Sequence, residues 1–446
     1  MPCWKKLRWL ALPLAAVGIA TGIDLTQSPV PTSRLSAADW TSAGYGPADY
    51  SATMRQISDN LDLASERTAN GPDQWLRQES LARAYMTRSR FAERYDDLAT
   101  AEKILAEARA GAPGNSGPLL SIAALSMMGH RLRDSERALD VIDSWAVPPE
   151  PGEMVEVLGL RGDLAFYRGD MAAAQKLYDE AEAIRGGSAV AYRRANLAKA
   201  QGDYDAAIQG FLGSAVGEKR GTPFFHASTA LQIGAVEQAR GNYAEASRWF
   251  TRADRQFPGF WLFEAHRAQS KAVAGDLQGA IAAMRSVAED HPAAEVMDAL
   301  AMLLRSSGEA TESRLWASRA GEEWKRQLSL APEAAYGHAL EHELVFGTPE
   351  RALMLARKNL AARPYGGSRV LLASALIMNG RYQPALDQLE AAEASGWRSA
   401  PLFALKAQIY ELTGRAADAE EARKSALALN PRIFSPETSL VWFGHG

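Results

Sequence analysis

His338 and His342 stand four residues apart in the run Tyr-Gly-His-Ala-Leu-Glu-His-Glu-Leu. On a helix that spacing puts both imidazoles on one face, where they can reach a single metal ion with Glu341 and Glu343 beside them. A catalytic zinc needs a third protein ligand, and the order is not the His-Glu-x-x-His of metalloproteases. The remaining histidines, at 130, 226, 266, 291 and 445, lie in other parts of the chain. The expectation is therefore two packing or surface histidines, with no metal site and no cofactor. Paired carboxylates of the kind a glycosidase uses occur at Asp96 and Asp97 and at Asp203 and Asp205. Their places beside turns predict a simpler role, accepting hydrogen bonds from free amides at helix starts. There is no Gly-x-Ser-x-Gly elbow, phosphate loop or Cys/His pair, so no enzymatic centre is expected.

The elements that would position these residues are helices. Alanine dominates the apolar fraction, β-branched residues are sparse and charges of both signs are scattered, which predicts an all-α chain. A turn signature recurs as Gly169-Asp170-Met171, Gly202-Asp203-Tyr204, Gly241-Asn242-Tyr243 and Gly275-Asp276-Leu277, then at Gly308, Gly347, Gly380 and Gly414. The steps between these glycines are 33, 39, 34, 33, 39, 33 and 34 residues. Five residues after each glycine stands Ala174, Ala207, Ala246, Ala280, Ser313, Ala352, Ala385 or Ala419. Seven before it stands Gly162, Ala195, Gly234, Ala268, Ala301, Leu340, Ala373 or Ala407. Two small residues per unit are what close packing of antiparallel helices demands. A bulky residue nine after the glycine, such as Tyr178, Phe211 or Phe250, is expected to pack against the next unit. The two 39-residue steps predict insertions at "VGEKRGTPFF" and near "GEEWKRQLSLAPEAA", each lengthening a second helix or a loop.

In "YRGDMAAAQKLYDEA", "QGDYDAAIQGF" and "RGNYAEASRWFTRADRQFP" the chain resembles the tetratricopeptide repeat family. The resemblance covers about residues 155–433 as eight units and implies a right-handed superhelical solenoid of antiparallel helix pairs with a concave groove. It also implies which residues line that groove: Tyr192, Arg193, Asn196 and Lys199, then Gln232, Gln238, His266, Gln269 and Arg305, with Asp298, His338 and Glu341 in later units. Arg193, Asn196 and Lys199 partly match the set with which family members clamp a peptide's carboxylate. Four residues before the turn glycine, where the family commonly has an aromatic, the chain carries Glu237, Lys271 and Glu343. Glu237 and Lys271 occupy that position in adjacent units and are expected to pair.

Residues 46–154 read as degenerate helical repeats, 23–45 as a linker and 434–446 as a tail whose Val441, Trp442 and Phe443 cap the last unit. At the N-terminus a short basic start precedes Trp9 to Ile23, 15 residues without charge. That is short of the roughly 20 a spanning helix needs and suits a secretory signal over residues 1–22, an uncleaved anchor being the alternative. Export would place the protein in the periplasm or cell envelope. Cys3, the single cysteine, lies before the apolar run, which excludes disulfides and thiolate metal sites from the folded part. The net charge of −4 without any basic stripe argues against nucleic acid as partner. The function expected is a non-enzymatic scaffold binding a protein or peptide partner. A glycan or small-molecule receptor is the competing reading, with Trp249, Phe257, Phe260, Trp261 and Phe263 as stacking candidates.

Overall fold

The structure, a computed structural model, describes residues 35–36, 40, 45–217 and 221–443. The expected signal segment, residues 1–22, lies outside the described residues, as does most of the expected linker. Among the described residues there are helices and no strand, and no helix is long and apolar enough to cross a membrane.

A leading helix α1 (Tyr50–Ala69) packs on α2 (Trp75–Ala92), which pairs with α3 (Tyr95–Gly111). Next come α4 (Leu119–Met128) with α5 (Leu132–Asp143), α6 (Pro151–Tyr167) with α7 (Met171–Ile184) and α8 (Ser188–Ala200) with α9 (Tyr204–Gly217). The pairs α10 (Pro223–Ala239) and α11 (Tyr243–Gln256), α12 (Trp261–Val273) and α13 (Leu277–Asp290), and α14 (Ala294–Ser306) and α15 (Ala310–Leu330) follow. The array ends with α16 (Pro332–Phe346) and α17 (Pro349–Ala362), α18 (Gly366–Met378) and α19 (Tyr382–Ala394), and α20 (Ala400–Leu412) and α21 (Ala416–Leu429). A single 3-10 turn, Pro436–Leu440, lies beyond them.

Each hairpin turn is set by local chemistry. At Gly169 the backbone has φ +82°, and the Asp170 amide reaches back to the Ala165 carbonyl at 2.9 Å, closing the helix in the left-handed manner that glycine favours. Asp170 then starts the next helix by accepting from the Ala173 amide at 2.9 Å, and Asp203 and Asp276 do the same at Ala206 and Gly279. The small-residue pairs are buried throughout. Their necessity is visible at Gly162 and Gly234, where an added Cβ would stand 2.2 Å from the Tyr178 ring and 2.5 Å from the Phe250 ring. The bulky residue nine after the turn glycine thus fills the gap against its own unit's first helix, and Phe250 also meets the next unit as the spacing suggested, its ring 4.6 Å from His266 of α12.

The second insertion lengthens α15 to 21 residues, against 14 in α13. The first extends α10 forward, so that it has 17 residues against 13 in α12. Leu35 and Trp40, within the stretch read as a linker, are docked on the solenoid. The Leu35 amide donates to Gln209 Oε1 at 2.8 Å and its carbonyl accepts from Gln209 Nε2 at 2.9 Å, and Trp40 meets Trp249 edge-on at 5.4 Å. The Ser/Thr/Ala-rich composition there conceals two apolar anchors.

A solenoid is ordinarily held by contacts between neighbouring units only. Here the superhelix is tight enough for its successive turns to touch. The α6–α7 turn lies on the loop before α18, with Tyr167 and Tyr365 rings 5.4 Å apart, edge to face. At the α8–α9 turn the Ala200 carbonyl accepts from the Arg398 amide at 2.9 Å. His130, after α4, sits 3.1 Å from the Arg363 guanidinium and 3.2 Å from the Glu333 carbonyl. Asp96, in the first turn of α3, pairs with Arg326 of α15 at 2.9 Å. These contacts join residues roughly two hundred positions apart and make the inner face of the coil an interior.

Candidate functional site on the inner face

The first helices of the pairs carry their polar residues toward this interior, and most are consumed by partners from the chain itself. Arg193 on α8 is 7% exposed and is gripped by Asp163 of α6 at 3.1 Å and Glu156 of α6 at 3.0 Å. The Tyr178 hydroxyl donates to the same Asp163 carboxylate at 2.8 Å. Burial by itself would lower the Arg193 pKa, but Asp163 and then Glu156 hold it above its ordinary value. Burial pushes the Asp163 carboxyl up, opposed by Arg193 and by the Tyr178 hydroxyl. Gly159 makes the room, since a Cβ there would fall 2.6 Å from the guanidinium. The arginine expected to face a partner's charge thus has its carboxylates supplied internally.

Of its neighbours, Tyr192 packs edge-on against Phe211 at 5.1 Å, and Asn196 donates to the Tyr192 carbonyl at 3.2 Å. Among the described residues the buried Lys199 ammonium has no hydrogen-bond partner, and burial pushes its pKa down to about 8. Gln232 is 3% exposed. Arg305 lies over the Phe346 ring at 4.8 Å and donates to the Val345 carbonyl at 3.1 Å.

The two histidines that opened the question of metal chemistry point their Nδ1 atoms at different carboxylates. His338 is 2.9 Å from Glu295 and 3.3 Å from Glu341, while His342 is 2.7 Å from Asp298. Burial would lower the His338 pKa, but Glu295 and Glu341 raise it to about 10, so the imidazole is charged at neutral pH. Trp324, on the extra length of α15, donates to Asp298 at 2.7 Å and stacks on His338 at 5.9 Å. Among the described residues no group of three or more potential ligands is arranged to hold a metal ion. Glu237 does not pair with Lys271, which is exposed. It accepts from Arg240 at 2.6 and 2.7 Å and from Asn242 at 3.0 Å, because these lie one turn further along its own hairpin. Asp203 is a helix cap and Asp205 pairs with Arg240 at 3.0 Å, so neither is poised as a catalytic acid. The aromatics considered for sugar stacking mostly pack on one another, with Phe257 and Phe263 fully buried. A nearby cleft of ≈ 440 Å³ is lined instead by Asp49, Pro223, His226 and Gln256.

One part of the inner face holds a main-chain segment of the chain itself. Gln238 of α10 and Gln269 of α12 are linked amide to amide at 3.0 Å, and together they take the main chain of the C-terminal tail. The Gln269 Oε1 accepts from the Trp442 and Phe443 amides at 2.5 and 2.7 Å. The Phe443 carbonyl accepts from Gln269 Nε2 at 3.1 Å and from Gln238 Nε2 at 2.6 Å. The Phe443 ring, wholly buried, stands 5.2 Å from His266, which in turn rests on Phe250 at 4.6 Å. Trp442 meets Phe346 at 6.1 Å. The tail therefore does not cap the last helix pair. It leaves that pair and runs to α12 and α16, with its 3-10 turn held by Thr438 against the Tyr243 hydroxyl at 3.1 Å. Sequence reasoning found the glutamines and His266 but not what they hold, since nothing local ties residue 269 to residue 443.

No protein-family model and no curated protein matches the chain. Among solved structures it is similar to a tetratricopeptide repeat protein from Parabacteroides merdae, at 16% identity over 59% of this chain and 98% of that one, TM-score 0.35. It is also similar to the APC/C hetero-tetramer Cut9–Hcn1, at 16% identity over 81% of this chain and 75% of that one, TM-score 0.37. A third is the IFIT1 monomeric mutant with Gppp-AAAA, at 12% identity over 83% and 95%, TM-score 0.41. In its near-34-residue period, turn glycines, buried small-residue pairs and stacked helix hairpins, the chain is built as a tetratricopeptide-like solenoid.

Proposed function

We propose that the protein is a non-enzymatic interaction scaffold of the cell envelope that binds an extended segment of a partner protein along the inner face of α10, α12 and α16. The observation that carries this reading is the pair Gln238 and Gln269, whose side-chain amides hydrogen-bond a main chain at Trp442 and Phe443. An amide side chain offers a donor and an acceptor side by side, as a neighbouring strand does, so it recognises backbone. Elsewhere on the inner face Arg193, His338 and His342 are each held by carboxylates of the chain itself, which suits a packed lining more than acid–base chemistry. The envelope location is supported by the basic start and the uncharged run from Trp9 to Ile23.

The test is crosslinking of the purified chain in envelope extract, followed by mass spectrometry, for wild type and a Gln238→Ala/Gln269→Ala variant. One protein should be enriched by wild type and at least tenfold depleted with the variant. Equal recovery of that protein by both would remove the inner face from its recognition.

A further inference from the structure

We infer that residues 441–443 are a resident ligand of this peptide site, and that the partner segment is an extended stretch with two adjacent bulky aromatic or apolar residues that competes with them. The inference rests on the reading above and adds the ligand class and the regulation of the site.

Three features of the molecule lead to it. First, the four hydrogen bonds that Gln238 and Gln269 make to the tail go to the main chain of two residues, so nothing in them is particular to this tail. An incoming strand in the same register satisfies them equally. Second, Gln238 and Gln269 are 6% and 1% exposed, and a buried amide stripped of its partners carries a desolvation cost. The site is therefore unfavourable when empty and favours exchange of one backbone for another. Third, the apolar side of the site is shaped for aromatic side chains in sequence, His266 and Phe250 beneath Phe443 and Phe346 beside Trp442. Arg305 lies over Phe346 as well, which ties the second pocket to α14.

The tail reaches this site through the 3-10 turn Pro436–Leu440, which packs on α12 and α14 and whose Thr438 hydroxyl accepts from Tyr243. No helix pair depends on residues 441–443 to complete its own hairpin. Occupancy in cis confers a large effective concentration, so a free partner must exceed it or the turn must let go. The tail thus acts as an internal competitor that sets a threshold for binding.

The experiment uses the full chain and a fluorescein-labelled synthetic peptide of the sequence Thr438 to Gly446. Wild type and a full-length Trp442→Ala/Phe443→Ala variant are titrated, with circular dichroism melting to check that both are folded. The variant should bind the peptide one to one and at least tenfold more tightly than wild type, and adding Gln269→Ala should abolish the gain. In parallel, hydrogen exchange at the Trp442 and Phe443 amides of unmodified wild type should accelerate when unlabelled peptide is added in excess. This second measurement needs no variant. If the folded variant and wild type bind the peptide equally, or if exchange at those two amides is unmoved by saturating peptide, the tail is a fixed plug and the inference fails. That failure leaves the scaffold reading intact, since a partner can still be recovered by crosslinking, whereas equal recovery by wild type and the glutamine variant, with peptide exchange intact, would sink only the scaffold reading.

Discussion

Arg193 shows how far a residue's type underdetermines its use. A guanidinium on the inner face of a helical array suits a peptide carboxylate, yet here two carboxylates of α6 already hold it at 3.0 and 3.1 Å. Removing it leaves Asp163 buried against Tyr178 with no counter-charge, which costs about 3–5 kcal/mol. Arg193→Ala should lower the unfolding free energy read from urea titration by that amount, and Arg193→Met combined with Asp163→Leu should recover more than half of the loss, because the uncompensated charge is gone. Equal losses in the single and double variants would show that the triad is not coupled. His338 gives a pH signature. Its folded pKa of about 10 lies above the roughly 6.5 of an unfolded histidine, so its contribution is complete below about pH 6.5 and is lost as pH rises through about 10. Urea midpoints measured from pH 6.5 to 10.5 should therefore fall more steeply for wild type than for His338→Gln. Parallel slopes would mean that Glu295 and Glu341 do not hold the proton.

At the scale of the element, the insertion in α15 has a purpose that its length alone did not reveal. The added turns bring Trp324 over the α14 and α16 side chains, where its indole satisfies Asp298 and covers His338. Trp324→Phe keeps the ring but removes the donor from a carboxylate that is wholly buried, so it should destabilise by about 1–3 kcal/mol. Lys325→Ala, at an exposed position next to Trp324, should cost little, and thermal melts of the two variants separate the claims. The helix pairs themselves were legible because their determinants are local: glycine at a left-handed turn, aspartate as the following cap, and small residues where rings such as Tyr178 and Phe250 approach. The neighbour that a polar residue finds was not legible. Glu237 takes Arg240 in its own hairpin instead of Lys271 in the next, and Gln269 takes a tail 174 residues away. Period fixes which face a residue occupies, while its partner depends on how the faces are later brought together.

The whole molecule depends on that later step, the small rotation between units that accumulates until one turn of the coil meets the next. The turn glycines report on it. Gly169, Gly202, Gly275 and Gly380 are equivalent in the repeat and all have φ between +69° and +97°, so alanine at any of them costs about 1 kcal/mol in backbone strain. Their surroundings differ. A Cβ on Gly169 would lie 3.1 Å from the Pro364 carbonyl oxygen, and one on Gly202 would lie 3.1 Å from Arg398 Cβ, both across the seam between turns. At Gly275 and Gly380 nothing stands within 4 Å. Gly→Ala at 275 or 380 should thus cost only the strain, while at 169 or 202 it should cost a further 1–2 kcal/mol, in the range of overpacking a close contact. At Gly169 the extra loss should vanish in a chain whose seam is already loosened by Tyr365→Ala, since the carbonyl before Tyr365 is then free to move, while at Gly202, which faces Arg398, it should persist. Melting temperatures of the four glycine variants in both backgrounds make the comparison, and four equal losses would mean that the turns of the coil do not bear on one another in solution.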